Sequence, residues 1–537
     1  MNKRSNGTTR VRSSLPMRLA SLSLPIPLLV AGLMAIFSAA AAEPTLPNPL
    51  PDKAFAGIFK GYKDCRATFA AIDARVDAAG VRDAGYYRVP GFPYFRTDRL
   101  LASFANEVHD LESVSGWMQR MRQFDQEARA SELINLGMSD DEIGLLRYEL
   151  LSCGSGLANL EMQDEDNLAF LRKSVAPPTE YATGGTLSAK QRKAVAARAA
   201  GLLKSFTGKL PAATAKASLK LWQAKPIKDL SLIADGYGRA ALDELGVPAL
   251  IESQWRGLAK VNAPVLWIET ASSRDQPGKP VLSNDAVSVD PAQPLINYYI
   301  TFTRFGTARL TQLNSFIWFK GRAGEAAASE GQIDGLIDGL IDGLIWRVTL
   351  DQQARPLLYE SVHATGRDHL WFLAQPLARR SSGAPTLADD ASPVLFPQAE
   401  PISGPVALRL AAGSHALRRV VPLGSAVAAS GTTVYELRRY EDLFSLPRPD
   451  GQYRNLYGPD GTIPGVREQE LAWLWGDRVS ASGALRELGR LPVSYGGQTH
   501  FDDADLLERL FVVPAAAAPK ETLARDAAGL VRAVSAR

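Results

Sequence analysis

Five histidines occur in 537 residues, and four of them, His363, His369, His415 and His500, fall where apolar residues follow a strand-like pattern. Imidazole is the commonest protein ligand for transition metals and titrates near neutrality, so the spacing of these four bears first on chemistry. Leu357 to His363 reads as a strand, Ala364 to Asp368 as a five-residue loop containing Gly366, and His369 to Leu373 as the returning strand. A loop of that length sets His363 opposite His369 on one face, with Cβ atoms about 4.5–5.5 Å apart. Two rings on such a rung can converge on one divalent ion, with zinc the expected metal, at bonds of about 2.0–2.1 Å. His415, in Gly413-Ser414-His415, and His500, after Gly496-Gly497-Gln498-Thr499, sit beside glycine turns that can present a side chain without burying it. They are the expected third and fourth ligands, with Asp502 or Asp503 as base for a metal-bound water. The competing expectation is that each histidine serves only its own strand.

The two cysteines offer a second chemistry. Cys65 shares a helical stripe with Phe69, Ile72 and Val76. Cys153 lies on a helix opened by Ser139 and Glu142 at capping-box spacing, with Ile143, Leu146 and Leu150 inward and an expected stop near Gly154. Both therefore face a core, as a Cys65–Cys153 disulfide or as two separate thiols. Other reactive motifs are absent: there is no GxSxG, HExxH, P-loop or EF-hand pattern. Cys153-Gly-Ser-Gly156 ends an expected helix, whereas a nucleophile elbow must follow a strand. Asp450-Gly451 and Asp460-Gly461 are turn formers.

The elements that must hold these groups divide the chain. Residues 43–180 form a helical domain, with runs at 63–79, 97–108, 111–136, 139–153 and 163–174. Tyr86 to Arg96 interrupts them as an extended segment over an apolar surface. Residues 181–260 are a mixed helical connector that includes a helix over Ser188 to Phe206. Its Lys190, Arg192, Lys193 and Arg198 form a solvated face. From 261 to 513 the period changes from 3.6 to 2 and the reading is a β-rich domain, with a flexible tail over 514–537. The fold class is α+β, a helical N-terminal domain followed by a predominantly antiparallel β domain. Ile333-Asp334-Gly335-Leu336 recurs at 337–340 and 341–344, three units too short for a solenoid, and reads as a tandem duplication lengthening a loop.

Residues 1–42 read as a signal peptide: Lys3, Arg4, Arg10, Arg12 and Arg18, an apolar run from Leu19 to Phe37, then small residues to Ala42. A retained anchor is the alternative, interrupted by Pro25 and Pro27. The expected destination is the periplasm or the exterior, with membrane contact only through this segment if it stays uncleaved. The whole chain carries +3, and because this segment holds five cations and no acid the remainder is slightly negative. That excludes long-range attraction for nucleic acid.

Four stretches resemble an uncharacterised family of exported proteobacterial proteins: VPGFPYFRTDRLLASF (Val89 to Phe104), YYITFTRFG (Tyr298 to Gly306), SVHATGRDHLWF (Ser361 to Phe372) and GQTHFDDADLLERLF (Gly497 to Phe511). The resemblance implies cysteines between the two hairpin histidines, where this chain has Thr365 and Arg367, and so a site here without those thiols. It implies no activity. The expected function is an envelope protein that binds a small molecule or envelope component through its β-rich domain, around Trp318, Trp346 and Trp371. The alternatives are a metal-dependent hydrolase using the histidines, and a non-catalytic structural protein docking through Tyr86 to Arg96.

Overall fold

The helical stripes and alternating runs become a helical layer beside one large twisted sheet in a computed structural model of the chain. It describes residues 62–177, 187–207, 217–226, 230–283, 286–321, 337–338, 341–380, 395–398, 400–402, 404–425, 431–476, 479–493 and 499–512. The segment expected as a signal peptide (1–42), the expected tail (514–537) and the first unit of the four-residue repeat lie outside them. The described residues all belong to one unit, Thr45–Arg537. Among them no helix is long and apolar enough to cross a membrane.

The helical part comprises α1 (Tyr62–Ala79), α2 (Arg99–Ser103), α3 (Leu111–Asn135), α4 (Asp140–Glu161) and α5 (Glu165–Ser174). α1 buries the expected stripe of Cys65, Phe69, Ile72 and Val76. α4 starts as its capping box requires: Ser139 N–H donates to Glu142 Oε2 at 2.9 Å and Glu142 N–H to Ser139 Oγ at 3.4 Å. It runs past the expected stop at Gly154. That glycine gives close approach rather than termination, since a β-carbon there would lie 3.5 Å from the Tyr94 side chain. Cys65 and Cys153 form a disulfide with Cα atoms 5.5 Å apart, tying α1 to α4 across a separation of 88 residues. Closing so long a loop is worth about 4 kcal/mol from lost unfolded-chain entropy.

The segment expected as an extended docking surface is instead a small hairpin, Tyr87–Val89 paired with Phe92–Thr97. Val89, Phe92, Tyr94 and Phe95 are all buried with Trp117 and Leu157 in the helical core. The prolines and aromatics of this stretch thus serve packing. They leave little surface for a partner.

The sheet contains ten strands: β1 (Ser218–Ala224), β2 (Val265–Thr270), β3 (Leu295–Phe305), β4 (Ala308–Lys320), β5 (Ile341–Leu350), β6 (Pro356–His363), β7 (Leu370–Leu373), β8 (Val406–Leu410), β9 (Leu417–Pro422) and β10 (Thr432–Arg439). Their spatial order is β7-β6-β5-β4-β3-β10-β1-β2-β8-β9. The run from β7 to β3 is antiparallel, with short connections at 306–307, 351–355 and 364–369. The remainder is not. β10 lies parallel to β1 along its first half and to β3 along its second, and β8 lies parallel to β2. The sheet is therefore mixed rather than predominantly antiparallel, because strands distant in sequence enter its middle through long crossovers. One of them, β1, comes from the segment expected as a helical connector, which also supplies α6 (Ala189–Thr207), α7 (Leu230–Gly238) and α8 (Glu252–Val261).

Both faces of the antiparallel part are covered. Leu344, Trp346, Tyr359 and Phe372 pack on one side. Phe316, Trp318, Ile345 and Val362 pack on the other, with Leu358 and Trp371 beside them. Every residue from Ile341 to Leu350 is buried, as in a central strand with no wet face. Trp318, Trp346 and Trp371 belong to these cores, each no more than 1% exposed, and so cannot form the expected binding surface.

Candidate functional site

The hairpin carrying His363 and His369 exists, but its turn is tighter than the sequence implies. The last regular rung is Ser361 with Leu370; beyond it His363 N–H donates to the Arg367 carbonyl at 2.9 Å and Gly366 N–H to the His363 carbonyl at 2.7 Å. Gly366 makes this possible, with φ +90° and a position where any β-carbon would collide with the Pro492 carbonyl. The two rings are not opposed on one face. His369 Nε2 lies 2.9 Å from Glu360 Oε1, and Glu360 is three residues from His363, so it faces the other side of β6. A shift of one position sends a side chain to the opposite face, which is what separates these two histidines.

Each histidine has its own surroundings. Trp371 Nε1–H donates to His369 Nε2 at 2.9 Å, Phe501 lies edge-on to the His369 ring, and burial lowers the ring's pKa. His500 is buried, and its N–H donates to Asp503 Oδ2 at 3.1 Å. His415 is buried too, so the glycine turns do not expose these rings as expected. Only His363 and His415 meet, and they meet on a carboxylate. Among the described residues no three His, Cys, Asp or Glu side chains are arranged to hold a metal ion. The four histidines do not form the expected zinc site.

The shared carboxylate is Asp342, in the third unit of the repeat and at the start of β5. Its Oδ1 lies 2.7 Å from His363 Nε2 and its Oδ2 2.6 Å from His415 Nδ1. His415 Nε2 lies 3.6 Å from Asp275, and its ring stacks on Phe319 with centroids 4.1 Å apart. Aiming the ring there requires the left-handed backbone, φ +50°. Burial alone would lower the His415 pKa; the neighbouring carboxylates of Asp275 and Asp342 outweigh it and push it up to about 9. Burial likewise opposes ionisation of Asp342, but His363 and then His415 hold it well below the carboxylate range. The chain of contacts continues from His363 Nδ1 to Thr365 Oγ1 (2.9 Å), which donates to Glu468 Oε2 (2.6 Å). Arg367 approaches the same Glu468 at 3.1 Å, and Arg198 of α6 grips Asp368 and Glu470. Arg198, expected on a solvated face, is thus a cross-link. The network joins β5, the hairpin, the 413–415 turn and α6 without lining either of the two cavities described next. It is a structural tie.

The second polar cluster does line a cavity. Between the helical layer and the sheet lies a recess of about 220 Å³, bounded by Tyr86, Asp98, Arg120, Glu127, Trp255, Tyr298, Tyr299, Glu487 and Asp502. It shares Glu127 and Glu441 with an open groove of about 1030 Å³. Asp98 caps α2, accepting from Leu101 N–H at 2.7 Å. Glu487 accepts from Gly489 N–H at 2.7 Å, and Asp502 Oδ1 stands 3.3 Å from Arg99 Nε. Glu487 and Asp502 crowd the same side of Gly489, with oxygens 3.2 and 3.5 Å from where its β-carbon would sit. Tyr86 hydroxyl donates to Glu127 at 2.9 Å and meets the Tyr299 hydroxyl at 2.9 Å.

Burial dominates here. It pushes Asp502 up to about 7, against Arg99 and with help from Asp503 and Asp98. It pushes Asp98 up to about 6 against the Leu101 amide. Glu487 lies well above its usual range through burial and then through Asp502 and Asp83. A carboxyl that keeps its proton both donates and accepts hydrogen bonds, a property suited to hydroxyl and amide groups. A concave site with several carboxyls displaced in this way is the arrangement in which binding and catalytic sites are usually found. Of these residues the sequence singled out only Asp502, as a base beside a metal that the geometry does not assemble. Asp98 fell within the run 97–108 expected as helix and carried no site signal, and neither did Glu487.

No family model, no curated protein and no solved structure matches the chain. The resemblance of its four stretches to exported proteins therefore brings no activity with it.

Proposed function

We propose that the chain is an exported envelope protein that binds a polar ligand in the cleft between its helical layer and its sheet. The observation that carries this reading is the set of three buried carboxyls, Asp98, Glu487 and Asp502, gathered on the wall of a recess that adjoins a much larger groove, where burial raises the pKa of each. Export rests on the basic, apolar and small-residue pattern of residues 1–42. The two parts are tested separately. A fusion of residues 1–50 to a reporter active only outside the cytoplasm gives activity if the segment directs export, and none if it does not. Crystals soaked with a library of small polar fragments show density gathered in the recess and groove; density only elsewhere refutes the cleft reading.

Asp502 favours a second reading. A carboxyl poised near pH 7 can serve acid–base hydrolysis of the bound ligand. In that case Asp502→Asn abolishes turnover while ligand binding persists; unchanged turnover removes this reading.

A further inference from the structure

The walls of the recess carry an excess of one charge. Asp98, Glu127, Glu252, Glu441, Glu487 and Asp502 line it, against only Arg120 and Arg439. Both cations are spent: Arg120 pairs with Asp243 at 2.5 Å, and Arg439 with Glu441 at 2.9 Å and Glu252 at 3.8 Å. Behind the walls Asp83, Asp243 and Asp503 stand with Arg99, Arg347 and Arg490, acids and bases in equal number, so the imbalance of the lining remains. Asp98, Glu127 and Glu487 are held by an amide, a tyrosine hydroxyl and an amide, and none has an ion pair with a described residue.

A second observation is a buried carboxyl in the same wall that is only half engaged. Glu487 is 2% exposed, and its side chain takes one hydrogen bond, on Oε2, from the Gly489 amide two residues on. Oε1 accepts from no described residue, and it is not one of the unpartnered atoms closed off from solvent. The space that Glu487 lines is the recess, so Oε1 opens there. Buried acceptors are nearly always satisfied, and this one calls for a donor on whatever fills the recess. The lining also offers an indole: Trp255 is half-buried, set at an angle to Phe302 with ring centroids 5.8 Å apart. Aromatic faces attract ammonium groups and cover the alkyl carbons beside them. At about 220 Å³ the recess is smaller than the sites of drug-sized molecules, so its occupant is small.

We propose that the recess binds a small aliphatic amine in its ammonium form. The N–H groups donate to Glu487 Oε1 and to the Asp502 carboxylate, and the alkyl part lies on Trp255. Oxygens of both acids lie within 3.5 Å of the point a β-carbon would take on Gly489, close enough for one ammonium to serve both. A neutral hydroxyl would satisfy the acceptor and leave the charge unmatched. A metal ion fits less well, since among the described residues no three acids or imidazoles are arranged to hold one. The proposal rests on the recess being a binding site, as argued above.

Calorimetric titration of the purified chain with 1,4-diaminobutane, 1,4-butanediol and succinate tests it, because the three share a carbon chain and differ in charge. Diaminobutane is expected to bind, and the other two at least tenfold more weakly. Glu487→Gln keeps the size and removes the charge; roughly tenfold loss of affinity for diaminobutane is expected, with unchanged or raised melting showing that the variant folds. Arg99, Arg347, Asp98 and Asp503 act on Asp502, and Asp83, Asp502 and Arg490 on Glu487. An ammonium adds the positive charge these acids lack, so its binding releases protons. Affinity is therefore expected to rise at least tenfold from pH 5 to pH 8, across the Asp502 value of about 7. The ligand series and the pH series use the unaltered chain and stand whether or not the variant folds. Equal binding of butanediol or succinate, no loss in a folded Glu487→Gln, affinity flat with pH, or no binding of diaminobutane each overturns the amine. If that happens while soaked fragments still gather in the cleft, only the ligand class has failed. If the fragments avoid the cleft too, the binding-site reading has failed with it.

Discussion

Two clusters of carboxyls lie in the same molecule and are driven in opposite directions. Around Asp342, burial is outweighed by imidazoles within 2.7 Å, and the acids stay ionised. In the recess, Asp98, Glu487 and Asp502 meet the same burial with a backbone amide or one arginine for relief, and they hold their protons more tightly. The difference teaches that burial sets the penalty and the partner decides its outcome. A fully partnered acid is a fastening. A poorly partnered one keeps hydrogen-bonding capacity for a ligand.

Breaking the fastening gives the largest effect. Asp342→Ala leaves two buried imidazoles without their shared acceptor, and denaturant unfolding is expected to show a loss of about 3–5 kcal/mol. A loss below about 1 kcal/mol, the range of an exposed pair, would put Asp342 among the weakly held groups and erase the contrast.

The next effect is read from pH. His415 is raised above its unfolded value, so its contribution is full below about 6.5 and disappears as pH rises through about 9. Stability is expected to fall over that window, by about 3 kcal/mol if the whole shift is realised, and His415→Gln should flatten the decline. An unchanged slope in the variant would mean that His415 is not the titrating group.

The recess responds with the opposite sign to substitution. Asp502 has a folded pKa of about 7 against an ordinary 3.8, so the folded chain holds its proton more tightly than the unfolded one. The resulting penalty is absent below the ordinary value and grows until pH passes about 7. Asp502→Asn removes it. The variant is expected to be more stable than the parent by about 1–2 kcal/mol at pH 8, a gain reduced because Arg99 loses an ion pair, and to show little gain at pH 4. A destabilised variant at pH 8 would place Asp502 with Asp342 as a fastening.

How much of this was legible from the sequence depends on the range of the interactions. The Cys65 stripe, the Ser139–Glu142 cap and most strands from Val265 onward follow from local periodicity, and they stand in the structure. β1 was invisible because only Trp222 within it is fully buried, which leaves no alternation to read. The parallel pairings of β10 join residues near 222 and 296 to residues near 434, which local pattern cannot reach. The hairpin register failed for a similar reason. Loop length alone predicts opposed histidines, but Gly366 packing under the Pro492 carbonyl closes the turn earlier. Asp342 was hidden inside a repeat read as loop padding, although its unit enters the most buried strand of the sheet. The recess draws on residues near 98, 127, 299, 487 and 502, a set that only the fold assembles.

The smallest expected effect tests the comparison from outside both clusters. Arg256 is exposed, Lys260 is partly so, and neither has an ion pair with a described residue, so the fold gains no attraction from their charges. They also lie one turn apart on α8, where like charges repel slightly. Arg256→Ala with Lys260→Ala is therefore expected to change stability by no more than about 0.5 kcal/mol, read by denaturant unfolding. A larger loss would mean that these cations fasten α8 to the groove wall. They would then behave like Arg198 on α6, whose charge is consumed by Asp368 and Glu470.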